Sequence, residues 1–138
     1  DVRKKTGDRT LRSLVPDTKP FIRLFCQVTF SHTSLPEDAI IDTGAHVSLI
    51  PYEIWSESKV EIIGEYIMQG AVPGSGLPVK VGYIEASLGA QQRQSQNLRF
   101  LAFLAYTSKV PLLLGIRDVL EKFDVHLEFS RNLAYLEQ

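Results

Sequence analysis

The stretch that decides the fold prediction is Ile40-Ile41-Asp42-Thr43-Gly44-Ala45-His46-Val47-Ser48-Leu49-Ile50-Pro51. Ala39, Ile40 and Ile41 form a short apolar run that is typical of a buried strand, and an acidic residue follows directly. Glycine permits close backbone approach or a positive φ, so this order places a carboxylate on a tight loop at the edge of a core. Taken alone, the triplet also fits an ordinary turn, because Asp and Gly are common turn residues.

Two further features follow downstream. The apolar run Leu112-Leu113-Leu114 ends in Gly115, about seventy residues after the triplet, and leads into a helical pattern at 119–123. Between the two, the segment 69–78 carries three glycines and two prolines. Such a composition predicts a turn or an exposed loop and not a central strand.

Together these features resemble retropepsins and the wider pepsin-like clan, whose active-site segment is two apolar residues, Asp-Thr/Ser-Gly-Ala/Ser and an apolar run. The resemblance spans about Pro20 to Leu136. It is closer to the small bacterial retropepsin-like proteins than to viral enzymes, on the basis of Phe21 in the first strand, Ile50-Pro51 after the triplet and Phe123-Asp124-Val125 before the last strand. It implies a mainly β fold, a closed β-barrel of the retropepsin type with short helices, which forms a two-fold homodimer. The family keeps its flap where this chain has its glycine-rich segment.

The sequence departs from viral members of the family at two places. Ile116 stands between Gly115 and Arg117-Asp118, where viral proteases continue directly with Arg-Asn or Arg-Asp. The flap segment lacks the viral Gly-Ile-Gly-Gly pattern and carries Pro73 and Pro78. Flap mechanics and dimer contacts therefore do not transfer in detail.

The resemblance assigns catalytic roles to Asp42, Thr43 and Gly44. Two carboxylates a few ångströms apart cannot both ionise, so a pair keeps one proton and supplies a general base and an acid. The chain contains one such triplet, so the second carboxylate is expected from Asp42 of another copy. Thr43 is expected to bond across the two-fold axis, and Gly44 to offer backbone groups to the substrate. Leu113, Leu114 and Gly115 are expected beneath the loop.

The function predicted on this basis is an aspartic endopeptidase that is active as a homodimer on a peptide or protein substrate. The substrate-binding residues expected by resemblance are Ala45, Gly70, Ala71, Val72, Pro73 and Gly74. Residues 70–78 are expected to form a mobile hairpin tip over the cleft that gates substrate entry. The alternative is a catalytically silent retropepsin-fold dimer that acts as a peptide-binding or scaffolding module, because a fold does not guarantee its chemistry.

The apolar pattern predicts many short strands and two helical segments, near 52–56 and 118–123. Pro51 is placed to begin the first helix, and a phase change near Gly82 predicts a bulge. A hairpin around 130–132 is expected to close a domain of residues 20–138. The polar residues 1–19 read as a flexible arm, or as a segment that orders on a partner.

Composition excludes several other functions. The 44% hydrophobic and 22% charged residues are typical of a globular domain, and a net charge of −1 disfavours nucleic acid as a partner. His32, His46 and His126 lack the spacing of metal ligands, and no phosphate or dinucleotide loop is present, so neither metal nor cofactor is expected.

Cys26 is expected as a small residue of the core or sheet. No apolar stretch is long enough for a membrane segment, and the start at Asp1 fits a processed piece of a longer protein.

Overall fold

The computed structural model describes residues 2–5, 21–33, 35–69, 74–89 and 93–138. This part of the chain is mainly β, with short helical elements. The strands are β1 Val2–Lys5, β2 Phe21–Phe30, β3 Glu37–Ile41, β4 Ser48–Ile50, β5 Glu61–Met68, β6 Leu77–Leu88, β7 Leu98–Ala105, β8 Leu113–Leu114, β9 Asp124–Glu128 and β10 Leu133–Glu137. Helix α1 spans Tyr52–Trp55, and two 3-10 turns span Leu120–Lys122 and Phe129–Arg131.

Eight strands form one sheet in the order β1-β2-β3-β8-β4-β7-β6-β5. β2 is long enough to pair a second time, with β6, through Val28↔Leu88, Thr29↔Ser87 and Phe30↔Ala86. The hydrogen-bonded order therefore returns to β2 through β6. β9 and β10 form a separate antiparallel pair, as the predicted closing hairpin requires.

The main core is built mostly from side chains of this eight-stranded sheet. Its fully buried side chains include large apolar residues from five strands: Val28, Phe30, Ile50, Ile84, Phe100, Leu104 and Leu114. A second, smaller cluster contains Leu49, Val79 and Ala105, with half-buried neighbours that include Leu113 and Phe103. Successive side chains along a strand point to opposite faces of the sheet, which separates the residues of the two clusters.

The predicted bulge near Gly82 is present, but its extra residue lies on the partner strand. The register between β5 and β6 shifts between Ile62 and Gly64, opposite Gly82 and Val81. A Cβ on Gly82 would stand 2.6 Å from the Glu61 carbonyl oxygen. Glycine therefore permits the close approach of β5 there.

The two helical segments occur where the sequence predicts them, although both are shorter. Pro51 stands one position before α1, as its N-cap in extended conformation, and was expected at the first helical position. The second segment is a 3-10 turn whose Leu120 is buried. β8 contains only Leu113–Leu114 and is therefore shorter than the apolar run Leu112-Leu113-Leu114 that precedes Gly115.

Trp55 connects α1 to the sheet through a hydrogen bond and a cation–π contact. The Trp55 indole N–H donates to the Ala105 carbonyl over 2.7 Å in the interior. The Lys80 ammonium lies 5.9 Å from the ring centroids of both Trp55 and Tyr106. Trp55 is thus a core anchor whose indole N–H has a hydrogen-bond partner.

At the amino end, Val2–Lys5 pairs antiparallel with the start of β2. Residues 6–20 lie outside the described part of the chain, so the flexible arm and the boundary at residue 20 stay predictions. None of the described helices has the length and apolar character needed to cross a membrane.

Candidate active site

Asp42 lies directly after β3, where three strands meet. β3 runs parallel to β8, through Ile40↔Leu113 and Ile41↔Leu114, and β8 runs antiparallel to β4 at Leu49. β8 therefore separates the two strands that flank the Asp42 loop. The Asp42 N–H donates to the Leu114 carbonyl at 3.0 Å, which fixes the start of the loop on β8.

The loop itself is a tight turn around the Asp42 carboxylate. The Gly44 N–H donates to Asp42 Oδ1 at 2.9 Å, and the Ala45 N–H donates to the Asp42 carbonyl at 3.1 Å. Asp42 and Ala45 are half-buried, whereas Thr43 and Gly44 are exposed. The carboxylate is thus oriented by backbone and open to a ligand on one side. The Thr43 bond across a two-fold axis concerns a second chain and stays a prediction.

Gly115 supports the loop from below. A Cβ at this position would lie 2.7 Å from the Val47 carbonyl carbon and 2.9 Å from the carbonyl oxygens of Ala45 and Val47. Real Cβ atoms do not approach backbone this closely, so only glycine fits. Beside it, Leu114 is fully buried in the main core and Leu113 is half-buried in the second cluster. These three residues lie where the resemblance expects them.

Ser48 belongs to this support, although the sequence analysis did not single it out. Its side chain is completely buried, and its Oγ accepts the Gly115 N–H at 2.9 Å. A buried N–H without an acceptor is costly, so the hydroxyl satisfies the backbone of β8 where the strand ends. The available signal was a hydroxyl residue inside the apolar run Val47, Leu49 and Ile50.

Asp118 also supports this region, a role that its position after Arg117 in the sequence does not indicate. It adopts a positive φ of 62°, and its Oδ2 accepts the Leu101 N–H at 3.1 Å. The turn after Gly115 is therefore bound to β7 as well as to the Asp42 loop. A positive φ is uncommon for residues other than glycine, and Asp tolerates it better than most.

The glycine-rich segment lies at the end of a hairpin. β5 and β6 pair antiparallel up to Met68↔Leu77, which leaves residues 69–76 as the connection. Four of the predicted substrate-binding residues, Gly70, Ala71, Val72 and Pro73, lie outside the described part of the chain. Gly74 is exposed and has a φ of +87°, a conformation that glycine adopts readily.

The predicted limits of the hairpin tip need one correction. The tip was expected to reach Pro78, but Leu77 and Pro78 belong to β6 and pair with Met68 and Ile67. Proline fits there because the pairing of β6 with β7 begins only at Val79↔Ala105. At Pro78 the strand has a single neighbour, so one side of the backbone needs no donor.

Two of the three histidines have side-chain contacts within the chain. His32 Nδ1 lies 2.8 Å from Ser58 Oγ, and His126 stacks on Tyr135 with 4.4 Å between ring centroids. The described residues contain no group of three or more His, Cys, Asp or Glu side chains that could hold a metal ion. Cys26 is a half-buried residue of β2, and this burial raises the pKa of its thiol above the ordinary value.

Comparison with solved structures gives two matches of interest. A retropepsin-like aspartic protease from Rickettsia conorii superposes with a TM-score of 0.52 at 15% identity, over 99% of this chain and 89% of that one. The EIAV protease in complex with the inhibitor HBY-793 gives a TM-score of 0.44 at 19% identity, over 72% and 86% of the two chains.

Sequence comparison contributes nothing further: no family model matches the chain, and no curated protein matches it. The assignment therefore depends on the structure. The strand order, the Asp42 loop on β8 and the match to the Rickettsia protease over almost the whole chain lead to one conclusion. The chain has a retropepsin-like fold.

Proposed function

We propose that this protein is an aspartic endopeptidase whose catalytic site forms between two copies of the chain. The observation that carries the proposal is the Asp42 loop. Its carboxylate accepts the Gly44 N–H, its backbone is bound to Leu114, and Gly115 lies beneath it. A carboxylate held by the backbone in this way, at the edge of a retropepsin-like fold, supports a role in general acid–base chemistry.

The mechanism uses two Asp42 carboxyl groups that share one proton. The ionised group takes a proton from a water molecule, whose oxygen attacks the carbon of the scissile carbonyl. The protonated group donates to the carbonyl oxygen as negative charge develops there. Collapse of the tetrahedral intermediate breaks the C–N bond and returns the proton of the former carbonyl oxygen to the carboxylate that donated it. The leaving nitrogen takes the proton that the other carboxyl group removed from water, so the pair again holds one proton. The pair titrates as a unit, with macroscopic pKa values that belong to neither residue alone.

The requirement for a second chain comes from counting. Asp42 is the only aspartate in the sequence that Thr or Ser and then Gly follow. A two-fold axis beside Thr43 and Gly44 would bring the two exposed loops together, with the Thr43 hydroxyls bonding across it. Within each copy, the return of the strand order to β2 through β6 supports the closed barrel of this proposal.

Substrate binding is assigned to the backbone of the Asp42 loop and to the β5–β6 hairpin. An extended peptide would run between Gly44 and Ala45 below and the segment 70–74 above. Residues 69–76, which join the hairpin strands, are proposed as the flap tip that gates entry. The exposure of Gly44, and of Gly74 at the hairpin end, supports this arrangement.

Incubation with a peptide library at several pH values, comparing the wild type with Asp42→Asn, tests the proposal. We expect cleavage by the wild type in a range where the pair holds one proton, and loss of about 10³-fold or more of kcat/KM in the variant, since its pair has no general base. Equal cleavage by both proteins contradicts the mechanism. Peptide binding without cleavage by either protein identifies the scaffolding alternative.

A further inference from the structure

Strand β5 lies at one end of the eight-stranded sheet. It pairs with β6 alone, from Glu61↔Tyr83 to Met68↔Leu77. On its other edge, the backbone of β5 has no hydrogen-bond partner within the part of the chain that the structure describes. Alternate residues of a strand direct their N–H and C=O groups to one edge, so the outer edge of β5 offers a row of unused donors and acceptors.

The side chains of β5 leave apolar surface on both sides of this edge. Ile62, Ile63, Tyr66 and Ile67 are each between 42% and 57% exposed. Single exposed apolar residues are ordinary, but four of them on one eight-residue strand form a patch. Tyr66 and Ile67 are consecutive and point to opposite faces, so a strand beside β5 would bury apolar surface on either face.

Two devices that proteins use to protect a free edge are missing from β5. The strand reads Glu-Ile-Ile-Gly-Glu-Tyr-Ile-Met from 61 to 68 and contains neither lysine nor proline. Its two charged residues have partners within the chain: Glu61 pairs with Arg99, and Glu65 Oε1 accepts the Tyr106 hydroxyl at 3.0 Å. The edge is thus open to a further strand.

A third protective device, a bulge, affects only the first part of the strand. The register of β5 on β6 shifts between Ile62 and Gly64, and a bulge bends and twists a strand locally. From Gly64↔Val81 to Met68↔Leu77 the register is continuous. The regular part of the open edge is therefore 64–68, which is long enough to pair with about five residues of an added strand.

The size of the patch favours an extended segment over a second folded copy. Its four half-exposed side chains offer roughly 400 Å² of surface. A stable interface between folded proteins buries about 800 Å² on each side, so this edge alone would hold another folded domain only weakly. An extended segment, by contrast, adds main-chain hydrogen bonds along its whole length to the apolar contacts.

We infer that the outer edge of β5 binds an extended apolar segment of a partner protein by β-strand addition. The segment would carry β-branched or aromatic side chains on both faces, because directly opposite residues of paired strands contact each other and Tyr66 and Ile67 lie on opposite faces. The Asp42 loop takes no part in this contact, and no bond is cut. The inference therefore goes beyond the proposed function and does not depend on it.

Short labelled peptides of Val, Ile, Thr and Tyr, flanked by uncharged polar residues for solubility, provide the probe. Fluorescence anisotropy with the Asp42→Asn protein measures their binding without any cleavage. The matched control peptide has the same side chains but N-methyl groups on all its central residues, so that neither of its edges can donate. We expect the unmethylated peptide to bind about tenfold more tightly, since the control loses its backbone hydrogen bonds. Equal affinities, or no binding by any peptide, overturn the inference.

A lysine on the open edge should weaken binding. Natural proteins protect free edges with lysine, and Ile67 is 54% exposed, so Ile67→Lys should raise the dissociation constant about tenfold while the domain stays folded. Phe129→Lys is the matched control, because Phe129 is 64% exposed and lies on the β9–β10 turn. Its affinity should equal that of the parent protein. Undiminished binding by Ile67→Lys, or equal losses in both variants, contradicts strand addition at β5.

Hydrogen exchange identifies the surface that the peptide covers. In the free protein the outward amides among residues 64–68 should exchange rapidly, and the bound peptide should protect them. Protection elsewhere but not at these amides overturns the inference. If they are already protected in the free protein, and more so as its concentration rises, a second copy occupies the edge and the inference fails. Asp42-dependent cleavage is measured separately, so the two proposals stand or fail independently.

Discussion

Gly115 illustrates at the scale of a single residue how the fold fixes the Asp42 loop. Gly115→Ala should destabilise the protein by about 1–3 kcal/mol, because the new methyl group meets the backbone of Ala45 and Val47, which cannot move aside. The midpoint of urea unfolding measures this loss. Gly64→Ala is the matched control, since a Cβ there meets nothing within 4 Å, and its midpoint should be unchanged or slightly raised. Equal losses in both variants contradict the steric account.

Cys26 gives a prediction about pH at the same scale. Burial raises the pKa of its thiol above the ordinary 9.0, so the folded state favours the protonated form. The resulting stabilisation is complete below pH 9.0 and is lost as the pH rises through the raised pKa. Between pH 7.5 and pH 10 the urea midpoint of the wild type should therefore fall more than that of Cys26→Ala. Parallel curves for the two proteins would show that folding leaves the pKa of this thiol unchanged.

The docking of α1 on β7 is decided at the scale of elements. Trp55→Phe should cost about 1–3 kcal/mol of unfolding free energy, because the buried Ala105 carbonyl loses the indole N–H at 2.7 Å. Tyr52→Phe is the control: Tyr52 is 46% exposed and meets Trp55 edge-on, so the change should stay within about 0.5 kcal/mol. Denaturant titration measures both. If Trp55→Phe leaves the free energy of unfolding unchanged, packing alone holds the helix on β7.

Most elements could be predicted from the sequence because their apolar residues repeat with a clear period. β2, β7, the β9–β10 hairpin and the position of α1 follow from local pattern. The β5–β6 pair shows where this fails. Pro78 can lie in a strand because β6 begins to pair with β7 only at Val79. The extra residue of the bulge lies on β5, where Gly82 of β6 permits the close approach of the Glu61 carbonyl. Pairing partners, and not local preference, decide both.

Assembly is the question at the scale of the whole molecule. A chain with one Asp-Thr-Gly triplet is expected to be inert alone, so cleavage per chain should fall on dilution below the dimer dissociation constant. Excess Asp42→Asn chain should poison the wild type through mixed dimers, at a concentration where a distant variant such as Arg131→Gln does not. Activity should disappear when both carboxyl groups are protonated and again when both are ionised. Constant activity per chain down to a demonstrated monomer would contradict the shared site.

The sequence by itself determined the mainly β character, the triplet at the end of an apolar strand and the distant Leu113-Leu114-Gly115 element, since each depends on residues that are neighbours in the chain. The tertiary structure alone decided that β8 separates β3 from β4, that Ser48 supports Gly115, that Asp118 binds β7, and that His46 adjoins Arg117. These contacts join residues 17 to 73 positions apart. No periodicity encodes them, because a hydrogen bond across a sheet depends on the register of strands that only the folded chain brings together.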